Sequence, residues 1–401
     1  MEKVEQVTMR TKTIIPSPRS WPQTPQSPSE GQRSRTMFKR MIGLVAVVGL
    51  VSALAGAVSA ATYVWSGLGG DDLYTNGPNW VGGVAPTGAS GGSDTAQFDG
   101  TAAGGRTVNI GAATITDRFA LVSGADGYDF TGTGKWNQNF DINTSGTNTF
   151  SVECRPTNNF GWRGGGTTYV DALFDRGDTI TRSGAGTTIT IRNGGELGFN
   201  RLRSANGATT TVNVEAGGRI TNRYILHLDY NATDTLNVAG TVQTYGSSGS
   251  SYGITMNYDN NRAVIQDGGL IYGYVTLHDD GDGSDSTIDM EPGATLALRG
   301  GSVDVDTLAE FYALTKGSQG FDGQHFRYGT DATSWTKFDD MTGSDWYALS
   351  YDPDFMDTRL AHTVLTTLAQ PGGEIPEPAT MALLGLGAFG LGGYVRRRRR
   401  A

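Results

Sequence analysis

The densest group of metal-ligating side chains in this sequence is Asp279-Asp280-Gly281-Asp282-Gly283-Ser284-Asp285. Carboxylates crowded into a glycine-rich loop supply the hard oxygen ligands that Ca²⁺ takes. Counted from Asp280, a helix-loop-helix calcium site finds ligands at Asp282 and Ser284 and a twelfth-position acid at Glu291. Asp285, however, stands where that loop needs its turn glycine, and no helical pattern flanks it. Asp280, Asp282 and Asp285 are thus candidates for a weak structural Ca²⁺ site, with a solvated loop as the alternative. No other cofactor is expected.

Nothing else converges on catalysis. The four histidines, His227, His278, His325 and His362, are scattered and have no H-x-x-x-H or C-x-x-C companion. Gly88-Ala89-Ser90-Gly91-Gly92 has the form G-x-S-x-G but sits in a Gly/Ser loop, without the buried strand and following helix that aim such a serine. Gly132-Thr133-Gly134-Lys135 lacks the upstream glycine and the following Ser or Thr of a phosphate loop. No catalytic residue is assigned and the protein is expected not to be an enzyme.

The elements that must position any site are short strands. Between residues 61 and 373 the chain carries 30 Asp but 5 Glu, and 18 Lys and Arg in all, a net of −17. Asp suits turns and caps where Glu suits helices. The acidic balance disfavours nucleic acid and anionic membrane surfaces as partners. The one cysteine, Cys154, has no internal disulfide partner, so packing alone must hold an exported fold.

Units recur: ITIRNGGEL from Ile189, VNVEAGGRI from Val212, LNVAGTV from Leu236, VIQDGGLI from Val264 and IDMEPGATL from Ile288. Each is a short alternating strand, a glycine turn and a second strand. The turn glycines Gly194, Gly217, Gly240, Gly268 and Gly293 recur at the interval of one coil of a parallel β-helix. Alternation sends Ile189, Ile191, Val212, Val214, Leu236 and Val238 inward as stacked ladders, and the bend glycines are expected to supply positive φ. The expected fold is all-β, a right-handed parallel β-helix over 61–300. An aromatic β cap over 301–370 follows, with a closing hairpin from Trp346–Tyr351 and His362–Leu368. A β-sandwich is the alternative. Trp335 and Trp346 are read as cap residues, with a sugar-stacking platform as the other option.

Both ends of the chain carry apolar runs. Met37-Phe38-Lys39-Arg40-Met41 is a basic start, an apolar stretch from Ile42 follows, and Val58-Ser59-Ala60 places small residues before a cleavage point at Ala61. Residues 37–60 therefore read as a signal peptide, and 1–36 as a disordered extension or a segment upstream of the true start. At the other end, 371–401 reads as a linker and a terminal signal. Pro376-Glu377-Pro378 precedes the uncharged run 379–395 and then Arg396, Arg397, Arg398, Arg399 and Arg400. As a helix that run reaches roughly 25 Å, close to the roughly 30 Å bilayer core, and the arginines would stay on the cytoplasmic side.

This tail resembles the PEP-CTERM class of bacterial surface proteins, and the three elements in order make the resemblance specific. It implies sorting by an exosortase-type membrane protease, transient inner-membrane anchoring through a C-terminal transmembrane helix, and delivery to the cell surface or an exopolysaccharide or biofilm matrix. The passenger resembles autotransporter-like β-strand-repeat proteins, whose first coil looks like Trp65 to Pro86 followed by Asp94-Thr95-Ala96-Gln97-Phe98. Trp65, Trp80 and Phe98 are expected to close the open end of the core. The expected function is a non-catalytic surface or matrix protein. A carbohydrate-binding adhesin, or a β-helix polysaccharide lyase or hydrolase, is the alternative.

Overall fold

A computed structural model describes residues 60–369 except 87–93, 159, 176–178, 206–207, 229–233, 245–252, 258–260, 279–285, 316–322, 332–333 and 358–359. Across this span the chain winds into a β-solenoid. Each circuit lays strands on three faces, and up to Arg299 the strands pair in parallel with their counterparts one circuit away. Sandwich sheets are antiparallel, so the alternative fold is set aside. Helix is confined to short segments, among them Leu308–Tyr312, which carries a Thr307/Glu310 capping box.

The first face is an eleven-stranded sheet. One inward column runs through it as Val108, Phe130, Phe150, Val170, Ile191, Val214, Val238, Ile265, Met290 and Tyr328. The six inward residues expected from alternation are all buried. On the second face the column is Ile115, Trp136, Cys154, Phe174, Leu197, Ile220, Val242, Ile271 and Leu296. Cys154 thus fills the space between two aromatic rungs, and burial pushes its thiol pKa well up, Glu153 adding to the effect. The thiolate, the reactive form, is disfavoured there.

The second and third faces join because Glu196–Ser204 and Arg219–Leu228 run unbroken around the corner between them, each pairing on both faces. The glycine turns are of two kinds. Gly194, Gly217, Gly268 and Gly293 have φ between +72° and +87°, as expected. Gly240 does not: there a Cβ would stand 2.4 Å from the carbonyl oxygens of Glu215 and Gly218, so close approach between circuits is what requires glycine.

Aromatic rings close both ends. Trp65 and Trp80 meet edge to face at 5.2 Å between centroids, and Phe98 packs beneath them. At the other end Tyr347–Asp352 and His362–Thr367 form the antiparallel closing hairpin, laid on Thr295–Arg299. Ser334–Lys337 turns back antiparallel on Phe326–Asp331 and ends the first face. These antiparallel additions cover parallel edges that would otherwise recruit other chains.

Candidate functional site

The residues that bear on a site fall into three groups. Asp280, Asp282 and Asp285, the tail residues Pro376, Glu377, Pro378 and Arg396–Arg400, Val58 of the leader, and the G-x-S-x-G loop all lie outside the described residues. So does the expected membrane helix; among the described residues no helix is long and apolar enough to cross a membrane. No cluster of three His, Cys, Asp or Glu side chains suited to a metal occurs among the described residues.

A second group is explained by packing. Thr133 and Gly134 donate their N–H groups to Gly111 O, and Lys135 N–H donates to Ala113 O, so the amides that would cradle a phosphate are spent on the preceding circuit. Trp346 is buried against Phe338, Tyr347 and Tyr328. Arg262 lies over the Trp335 ring at 4.9 Å. The two tryptophans therefore do not offer a shared sugar-stacking platform. Arg262 and Arg327 both bond Asp289, whose side chain is fully covered, and tie the last circuits to the cap. His362 is buried, its Nδ1 2.8 Å from Leu360 O, between Tyr272 and Phe355.

The third group was not singled out from the sequence and comes from outward positions of the first face. Tyr169, Thr190, Asn213 and Asn237 occupy one column on successive circuits. Asn237 Nδ2 donates to Asn213 Oδ1 at 2.8 Å, and Asn213 Nδ2 donates to Thr190 Oγ1 at 3.2 Å. With Glu215, Ala216, Ala239 and Gln266 from the adjoining turns they line an open groove along the solenoid. Arg192 covers the Tyr169 ring at 3.5 Å and reaches Asp171. The available signal was that Asn213 and Asn237 hold the same place in two repeat units.

The groove thus lines up amide and hydroxyl donors and acceptors, with the Tyr169 ring covered by Arg192. Glu215 is the acidic residue among the described lining residues. At the expected leader junction Ala60 is exposed, and Ala61 N–H donates to Asp94 Oδ1 at 3.1 Å. No curated protein and no solved structure matches the chain. The PEP-CTERM protein-sorting motif matches residues 374–400, the segment that spans Pro376-Glu377-Pro378, the apolar run and the arginines.

Proposed function

We propose that this is an exported, non-catalytic surface or extracellular-matrix protein, with the solenoid as cargo and the C-terminal segment as its address. The PEP-CTERM match at 374–400 carries this reading, because that motif implies export and processing by an exosortase membrane enzyme. Pro376 and Pro378 hold the backbone extended and deny it helix hydrogen bonds, which suits a protease binding just outside the bilayer. The run 379–395 sets the depth, and each arginine contributes about 1 kcal/mol of attraction to an anionic leaflet. Anchoring is then transient, and the mature chain ends at the cell surface or in an exopolysaccharide matrix.

The mass and location of the mature chain from cells test this. A chain ending near Pro376 outside the inner membrane is expected. Pro376→Ala with Glu377→Ala should leave an uncut chain in that membrane, and serine at Arg396–Arg400 should let the tail slip and mislocalise the cargo. A mature protein that retains Gly385 to Arg400 and stays in the inner membrane would make it an ordinary single-span protein.

The polar groove favours a second reading, a carbohydrate-binding adhesin. Incubation with a panel of polysaccharides separates the readings: binding without cleavage supports the adhesin, cleavage a lyase or hydrolase, and neither a purely structural role.

A further inference from the structure

The solenoid begins where the leader is expected to be cut, and a buried carboxylate faces that point. Ala60 is exposed, and Thr62–Val64 pairs at once with Thr95–Gln97. Ala61 N–H donates to Asp94 Oδ1 at 3.1 Å, while Ala61 O accepts from Thr95 N–H at 2.8 Å, so the first residue is held from both sides.

Asp94 is 5% exposed. Asp117, also buried, stands at the same end, accepting from Tyr74 Oη–H at 2.8 Å. Burial first, then Asp117 and, more weakly, Asp94 and Tyr63, push the Tyr74 pKa well up. Arg118 donates its backbone N–H to Asp94 O, but its side chain is exposed. Among the described residues the Asp94 side chain is bonded by a neutral amide, and burial of charge is costly unless the charge is paired.

We infer that Asp94 is the receptor for the α-ammonium created when the leader is cut between Ala60 and Ala61. Hydrolysis breaks the C–N bond of that amide: the hydroxyl of water goes to the Ala60 carbonyl carbon and a hydrogen to the Ala61 nitrogen, which takes up a further proton from solvent. The existing Ala61–Asp94 hydrogen bond then joins two opposite charges, and such bonds are shorter and roughly twice as strong as neutral ones. The nitrogen need not move, since the Ala61 carbonyl is already fixed. Processing thereby locks the first circuit only after the chain has crossed the membrane. The inference depends on the leader and not on the C-terminal signal, so it stands or falls separately from the sorting reading.

The test uses the full chain exported with its own leader, with mass spectrometry of the mature N-terminus. Parent and Asp94→Asn are each made with and without Gly-Ser inserted between Ala60 and Ala61, which moves the new amine two residues away. Thermal midpoints and the rate of α-amine acylation at pH 7 are compared. Without the insertion, Asp94→Asn should lower the midpoint and speed acylation by about tenfold for each unit by which the ion pair had raised the amine pKa. With the insertion, it should alter acylation little and the midpoint less. Should Asp94→Asn not fold, acylation of the parent must still be slower than that of its inserted counterpart. A mature chain starting elsewhere, equal midpoint losses in both backgrounds, or equal labelling of parent and inserted chain would overturn the inference.

Discussion

Arg182 and Asp234 meet inside the solenoid, Nη2 to Oδ2 at 3.2 Å, with neither side chain reaching solvent. Arg182 stands in an inward column that Phe98, Leu121, Ile142 and Trp162 fill on earlier circuits. Asp234 also accepts from the hydroxyls of Ser204 and Thr210, and its backbone N–H donates to Asn261 Oδ1 at 3.0 Å. A charged cluster thus replaces the apolar rung where the third face turns into the first.

Removing one partner strands the other charge. Asp234→Leu is expected to cost about 3–5 kcal/mol, while Arg182→Met with Asp234→Leu recovers much of that loss, because an apolar pair of similar volume needs no charge compensation. Urea denaturation of the mature chain measures both. A single variant as stable as the parent would show that the pair does not hold these circuits.

Adjacent turn glycines should differ for different reasons. Gly194 has φ +87° and open space around a Cβ, so Gly194→Ala should cost about 1–2 kcal/mol of backbone strain. At Gly195 a Cβ would stand 2.0 Å from Val170 O on the preceding circuit. Gly195→Ala should therefore reach or exceed the top of the roughly 1–3 kcal/mol range for overpacking. The order of the two denaturation midpoints decides it, and the reverse order would contradict the turn geometry.

His362 should make the cap sensitive to mild acid. Burial lowers its pKa; the hydrogen bond with the Leu360 carbonyl partly offsets this, and Arg299 lowers it further against a weaker upward effect of Asp352. The unfolded chain therefore binds a proton more readily. Stability from this group is complete above the unfolded value, about 6.5, and falls as pH drops through it toward the lower folded value. His362→Gln should flatten the thermal midpoint across that window relative to the parent; an unchanged slope would assign the pH response elsewhere.

The core from Ile189 to Val238 was legible because five-residue strands alternate visibly and glycine turns repeat in phase. Earlier circuits were not, since Thr114–Ile115, Lys135–Trp136 and Glu153–Cys154 are two-residue strands, too short to show a period. A circuit there takes only 20 residues, as from Phe130 to Phe150, against 27 from Val238 to Ile265, so no common repeat length links the two halves. Arg182 shows where residue type misleads: its phase in Thr179–Arg182 points inward, although arginine is rarely buried. Asp234, 52 positions away, supplies the counter-charge that makes the phase hold. The groove is hidden in the sequence for a related reason, since Tyr169, Asn213 and Asn237 become neighbours only through stacking of separate circuits.

That stacking gives the groove its own test. Its lining combines Tyr169, hydrogen-bonded Thr190, Asn213 and Asn237, and Glu215 and Gln266. On the adhesin reading, the net charge of −17 over 61–373 favours neutral glycans over acidic ones, which like charge would repel at low salt. Asn213 and Asn237 are half-buried on the outer surface; replacing both with alanine removes the linked amides and leaves the inward column of Val212, Val214, Leu236 and Val238 in place. Retention of the parent in affinity electrophoresis through a neutral polysaccharide should be lost in Asn213→Ala/Asn237→Ala, with the thermal midpoint lowered by no more than a few degrees. Each amide that bonds a sugar hydroxyl contributes about 1 kcal/mol, so loss of two should weaken binding roughly thirtyfold. Equal retention of the variant would remove the groove as the contact surface, and stronger retention of the parent on an acidic polysaccharide at low salt would reverse the choice of glycan.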